Sequence, residues 1–176
     1  MISLEENVPL ASLTTLGVGG PARALARAQT LEHVRRGLAF ADERGLPVFL
    51  LGGGSNILFP DEGFPGLVLC LQIRGVEVTR ENSTVLVRAF AGEDWDSIVR
   101  LAVEKRWGGI ECLSGIPGFV GATPIQNVGA YGQEVASTIV EVEVYDRRRD
   151  AVAILENDVT PARSENGNGG RTGRNS

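Results

Sequence analysis

The sequence has little cysteine, a single histidine, no surplus of basic residues and no long apolar run. Each shortage closes off a class of function. The two cysteines, Cys70 and Cys112, stand far apart and make neither a Cys-x-x-Cys pair nor a metal-ligand spacing, so no redox pair or zinc site is expected. Cys70 sits in an apolar run and reads as a buried thiol, with a reducing compartment as the default. A net charge of -5 lacks the basic footprint of a nucleic-acid binder. Arg147, Arg148 and Arg149 are bracketed by Asp146 and Asp150 and read as a solvated hairpin tip. No apolar stretch approaches the roughly 20 residues of a membrane span. The first eight residues carry Glu5 and Glu6 and lack the apolar centre of a signal peptide. The expectation is a cytoplasmic protein with no nucleic-acid, membrane or evident protein partner.

What is present is an ordinary globular composition. Of 176 residues, 43% are hydrophobic and 22% charged, enough for one domain or two small subdomains. The chain has 23 glycines, clustered at 17–20, 52–54 and 115–132.

Residues 22–28 read as a short strand. Residues 30–44 read as an amphipathic helix, with Thr30 as cap, Leu31, Val34, Leu38 and Ala41 on one face, and Gly45 as the stop. Residues 47–51 are short and apolar, as a buried strand would be. Strand, helix and strand with short links predict a small parallel sheet. Beyond Pro65 the texture changes. Residues 67–71, 76–79 and 84–89 read as short strands. Asp94 caps a second helix over 95–106, with Trp95, Ile98, Val99 and Ala102 facing inward. Residues 139–145 and 151–155 form a final hairpin, in which Val140, Val142 and Val144 alternate with Glu141 and Glu143. From residue 157 onward only Val159 and Ala162 are apolar, so the tail is expected to be disordered.

Two segments carry chemistry. The first is Gly52, Gly53, Gly54, Ser55 and Asn56, directly after a buried strand. Glycines allow sharp turns and close backbone approach, and successive N–H groups can converge on an anion. A plain tight turn would look the same. The segment is neither Gly-x-Gly-x-x-Gly nor a P-loop. The second runs from Ser114 to Gly132. It is rich in glycine and stiffened by Pro117 and Pro124, yet holds Ile116, Phe119, Val120, Ile125 and Val128. Such a segment is backbone packed against something flat, or else a buried irregular loop.

Three motifs, in order and spacing, resemble one family. They are Thr14-Thr15-Leu16-Gly17-Val18-Gly19-Gly20-Pro21-Ala22, the Gly-Gly-Gly-Ser-Asn turn, and the stretch from Ser114 through Pro124, Gln126 and Tyr131 to Glu134. The sequence from about residue 10 to 155 is similar to the UDP-N-acetylenolpyruvoylglucosamine reductases (UDP-N-acetylmuramate dehydrogenases) of peptidoglycan synthesis. The resemblance implies an α+β fold of the vanillyl-alcohol-oxidase (PCMH) FAD-binding type. It has two α/β subdomains, here 1–65 and 66–156, the first with a small parallel sheet and the second with a larger, mainly antiparallel one.

It also implies non-covalent FAD as cofactor, NADPH as reductant and a UDP-sugar as substrate. Carried over by position, the FAD contacts are Gly52, Gly53, Gly54, Ser55, Asn56, Ser114, Gly115, Ile116, Gly118, Gly121, Asn127, Gly129 and Tyr131. His33 lies on the exposed side of its helix, so no covalent flavin link is expected. In the family an arginine, a serine acid and a glutamate assist the reduction. The family's Tyr-Arg-x-Ser-x-Phe-Lys segment has no counterpart in residues 157–164, and Arg163-Ser164 lacks its flanking residues. No catalytic residue is therefore assigned. The expectation is a chain without the family's substrate-binding third domain, through truncation or a shifted reading frame, and inactive alone. A flavin-binding module working with a partner chain is the alternative.

Overall fold

The structure, a computed structural model, describes residues 2–157. The tail expected to be disordered lies, beyond Asn157, outside the described residues. The first half is a four-stranded mixed sheet with a helix on one face. Strand β1 (Leu4–Pro9) pairs antiparallel with β2 (Pro21–Ala28). Helix α1 (Leu31–Glu43) leads to β3 (Val48–Leu51), and β4 (Phe64–Leu71) follows. The spatial order is β1-β2-β4-β3, with β4 parallel to both β2 and β3.

Two expectations need correction here. The first sheet is mixed rather than purely parallel, because β1, a strand without an apolar run, pairs antiparallel with the free edge of β2. Nor does a division at residue 65 follow the sheet, since β4 begins at Phe64 and is hydrogen-bonded between β2 and β3.

Alternation along the strands builds two cores. Ala24, Ala26 and Ala28 of β2 and Leu67 and Leu69 of β4 face α1, meeting Val34, Leu38 and Ala41. The small residues of β2 let the helix lie close. Leu67 and Leu69 are fully buried, each contributing about 2 kcal/mol or more. Gly37 keeps the helix against the sheet, since a Cβ there would meet Leu69 Cδ1 at 2.9 Å. On the opposite face Val68, Cys70, Leu25 and Leu51 pack with Leu10 and Phe59. Thr30 caps α1 by accepting from His33 N at 3.1 Å.

The second half is built from antiparallel pairs. Strand β5 (Val76–Glu81) pairs with β6 (Thr84–Ala89). Helix α2 (Trp95–Lys105) follows, capped by Asp94, and the four-residue α3 (Thr123–Gln126) lies beyond it. Strands β7 (Gly129–Ala130) and β8 (Gln133–Glu134) form a minimal hairpin, and β9 (Glu141–Asp146) pairs with β10 (Ala151–Glu156). Among the described residues these remain three separate two-stranded ladders, not the single larger sheet expected. Their strands are short, and β5 is exposed along its whole length. Trp95, Val99, Leu113 and Val135 form the core of this half.

The last hairpin docks onto the first half. Arg35 Nε of α1 donates to Asp150 Oδ1 at 2.9 Å, and Tyr145 OH donates to the same oxygen at 2.7 Å. Arg147 pairs with Asp42 of α1. The arginine tip is thus partly anchored rather than merely solvated.

Candidate cofactor site

Strand β3 ends at Leu51, and the chain turns through Gly52, Gly53 and Gly54 at the edge of the sheet. Two other segments close on this turn. From the N-terminal side, Thr15 N donates to Gly54 O at 2.9 Å. Gly54 has φ +70, and a Cβ there would sit 1.9 Å from Leu13 O, so only glycine fits. From the other side comes the stretch after α2. A Cβ on Gly53 would lie 3.2 Å from Gly118 Cα, so the two glycine turns touch backbone to backbone. Ser55 Oγ donates to Pro117 O at 3.1 Å and ties them together.

The second turn is hung on α2 and on the loop that leads into it from β6. Trp95 N donates to Gly118 O at 3.0 Å, Val120 N to Glu93 O at 2.9 Å and Gly121 N to Ala91 O at 3.0 Å. Trp95 Nε1 donates to Leu113 O at 3.1 Å in the buried interior, fixing the approach to the turn. Asp96, in the first turn of α2, accepts from Ser114 Oγ at 2.9 Å and from Gly115 N at 2.7 Å. Those bonds, Gly115 first, hold its carboxyl below the usual range.

Between the turns lies a cleft of about 220 Å³. Gly52, Gly53, Gly54, Ser55 and Asn56 form one wall, and Ile116, Pro117, Gly118 and Phe119 the other, with Trp95 and Ile125 also lining it. A second depression of about 310 Å³ opens on the far side of Gly52 and Gly53, lined by Ser12, Thr14, Thr15, Gln72 and Phe119. Among the described residues, the lining of both lacks Asp, Glu, Lys, Arg and His.

The expected contacts divide accordingly. Seven of them, Gly52, Gly53, Gly54, Ser55, Asn56, Ile116 and Gly118, line the cleft. Ser114 and Gly115 are engaged with Asp96. Gly121 has its N–H on Ala91, and a Cβ would meet Ala91 Cβ at 2.7 Å, so packing alone accounts for a glycine there. Asn127, Gly129 and Tyr131 do not line the cleft. Asn127 caps α3 with φ 43 and donates through Nδ2 to Glu134 at 3.1 Å. Gly129 belongs to β7, and Tyr131 sits at the tip of the β7–β8 hairpin, 94% exposed. Phe119 and Trp95 line the cleft without having been expected there. Their apolar character pointed to the core, and only the three-dimensional crossing of the turns brings them to the ligand side.

FAD is a dianionic diphosphate joining two flat ring systems, and the residues fit such a group. Among the described residues, the N–H groups of Gly53, Gly54, Ser55 and Asn56 have no protein acceptor. Gly52 lies outside the left-handed backbone region, and the nearest atom to a Cβ there would be Phe119 Cβ at 4.0 Å. Neither conformation nor packing requires a glycine at 52, and its missing side chain leaves the cleft open there. A neutral, apolar wall with free amides suits a flat ring and an anion.

Comparison with known proteins places the chain. The sequence profile of the FAD binding domain matches residues 22–152, and the chain belongs to that family. Its relatives within it include UDP-N-acetylenolpyruvoylglucosamine reductases. The one from Thermobifida fusca is 47% identical over 154 residues, covering 87% of this chain and 43% of that protein. The one from Salinispora arenicola is 49% identical over 148 residues, covering 84% and 41%. The chain thus spans about two fifths of the length of these curated relatives. The crystal structure of the Thermus caldophilus enzyme superimposes with a TM-score of 0.69 at 32% identity, over 89% of this chain and 53% of that one. A cholesterol oxidase from Brevibacterium sterolicum shares the fold, with a TM-score of 0.59 at 15% identity over 88% of this chain and 33% of that one. The α+β, PCMH-type architecture is therefore established. Among the described residues, no helix is long and apolar enough to cross a membrane.

Proposed function

We propose that this chain is the FAD-binding portion of a UDP-N-acetylenolpyruvoylglucosamine reductase, serving NADPH-dependent reduction of the enolpyruvyl UDP-sugar in peptidoglycan synthesis. The observation that carries the proposal is the contact of the two glycine turns around a cleft with free backbone amides. Gly53, Gly54, Ser55 and Asn56 would offer N–H groups to the diphosphate, and Ile116, Gly118 and Phe119 would wall the ring. Bound FAD would supply the hydride chemistry. The residues of this chain bind it, orient it and screen one side from water. Among the described residues the lining holds no Asp, Glu, Lys, Arg or His, and its hydroxyls are already engaged: Ser55 donates to Pro117 O and Thr123 to Val120 O. The proton donor and the sugar-binding groups of the reaction would therefore lie outside this cleft wall, in further sequence or in a partner chain.

Titration of the purified chain with FAD, followed by flavin fluorescence, tests the binding. Saturable, near-stoichiometric binding is expected; absence of binding refutes the proposal. An NADPH-oxidation assay with the enolpyruvyl UDP-sugar tests the second part. The chain alone should show no turnover above background, and robust turnover would show that the remaining groups are present in it.

A further inference from the structure

Asp96 is an acidic side chain one turn from a cleft suited to an anion. It is neither part of the cleft lining nor an idle surface carboxylate. Its Oδ1 accepts from both Ser114 Oγ and Gly115 N, and its Oδ2 accepts from Arg100 at 3.2 Å. Gly115 has φ +77, and a Cβ there would meet nothing within 4 Å. Its glycine thus answers to backbone shape alone, the shape that points its N–H at the carboxylate. The very next residue, Ile116, lines the cleft, as does Gly118. Gly118 is itself held to α2 by Trp95 N. The turn is therefore pinned to the start of α2 at two places, once by backbone and once by Asp96. The negative charge is favourable in the first turn of the eleven-residue helix.

We propose that Asp96 is a positioning residue for the cofactor: it anchors Ser114 and Gly115 on α2 so that Ile116 and Gly118 form the cleft wall, and Ser114 acts on the cofactor only through it. The inference rests on the FAD reading given above. It assigns to Ser114 and Gly115 a supporting role in place of direct contact. Charge-assisted hydrogen bonds of this kind are strong enough that their loss should be felt as a tenfold change or more. An amide can replace the carboxylate as acceptor for both bonds, so geometry and charge can be separated.

The experiment compares Asp96→Ala, Asp96→Asn, Ser114→Ala and the Asp96→Ala/Ser114→Ala double variant in the full chain. Asp96→Ala should weaken FAD binding roughly tenfold or more. Asp96→Asn should restore it to within about threefold of wild type, because removing a negative charge beside a diphosphate costs nothing. Ser114→Ala should weaken binding alone but add nothing in the Asp96→Ala background. Additive losses would make Ser114 a direct ligand and overturn its assigned role. Equal binding by Asp96→Ala and wild type would overturn the role of Asp96. Amide hydrogen exchange at Gly115 provides a reading without cofactor: protected in wild type and Asp96→Asn, fast in Asp96→Ala. Failure of wild type to bind FAD while that exchange pattern holds would refute the FAD reading and, with it, the positioning role, but leave the anchor. Unchanged exchange in Asp96→Ala would refute the anchor itself.

Discussion

Gly52→Ala separates folding from binding. The new methyl meets no protein atom nearer than Phe119 Cβ at 4.0 Å, and the backbone there is not left-handed. Alanine at a compatible glycine site stabilises by about 0.4–1 kcal/mol, through the unfolded chain. The thermal midpoint should therefore hold or rise slightly. The methyl points into space that the cofactor would fill, and one extra methyl in a packed site costs about 1–3 kcal/mol. That corresponds to FAD binding roughly five- to a hundred-fold weaker. Gly54→Ala, two residues on, should do the opposite first. Left-handed backbone costs alanine about 1–2 kcal/mol. Its Cβ would overlap Leu13 O, and relieving that overlap breaks the Thr15–Gly54 bond, about 1 kcal/mol more. The expected loss is about 2–3 kcal/mol, a fall in Tm of roughly 4–12 °C. Thermal melts of both variants without FAD, and fluorescence titrations with it, decide the matter. Gly52→Ala binding FAD within twofold of wild type, or melting well below it, would refute the clearance argument.

Other variants probe the frame. Leu69→Ala should cost about 2–5 kcal/mol in chemical denaturation, because Leu69 is fully buried between β4 and α1. Asp94→Ala removes the side chain that accepts from Ser97 N at 2.8 Å and should cost about 1 kcal/mol of stability. Acid should destabilise the fold through three carboxyls held below their ordinary range: Asp96 by Gly115 and Ser114, Asp150 by Tyr145 and Arg35, and Glu111 by its own and the Gly109 backbone N–H. Their contribution is complete above the unfolded-state values near pH 4 and is lost as pH falls below them. Melting curves between pH 7 and pH 3 should show this fall, and Asp150→Asn should shrink it; a variant curve parallel to wild type would contradict that assignment.

Local structure was largely legible in the sequence, and long-range arrangement was not. Both long helices announce themselves by cap and face: Thr30 before Leu31, Val34, Leu38 and Ala41, and Asp94 before Trp95, Ile98, Val99 and Ala102. Strand β6 and the β9–β10 hairpin followed from alternation. Strand β1 carries only Leu4 and Val8 as aliphatic residues, of which Val8 packs half-buried on the core, and is held chiefly by backbone pairing that no periodicity signals. The run at residues 67–71 declares burial but not its neighbours, so its place between β2 and β3 stayed hidden. In the site, the glycine clusters marked where backbone comes close. They did not say what it comes close to: at Gly52 open space, at Gly54 the Leu13 carbonyl, at Gly121 the Ala91 side chain. Asp96 was missed because a carboxylate early in a helix looks like any favourable dipole partner. The Ser-Gly pair that it captures lies eighteen residues away.

The position of β4 has a consequence for synthesis. As the chain leaves the ribosome, β2 and β3 emerge first, yet they are not hydrogen-bonded to each other. Each needs Phe64–Leu71 beside it. Until Leu71 is clear of the exit tunnel, two apolar strand edges wait without a partner, a period of exposure to wrong pairing. A nascent segment ending near residue 65 would hold most of the sheet's residues and little of its stability. The glycine turn at Gly52 would likewise mature only afterwards, since β3, which ends beside it, is fixed in place by a strand made later.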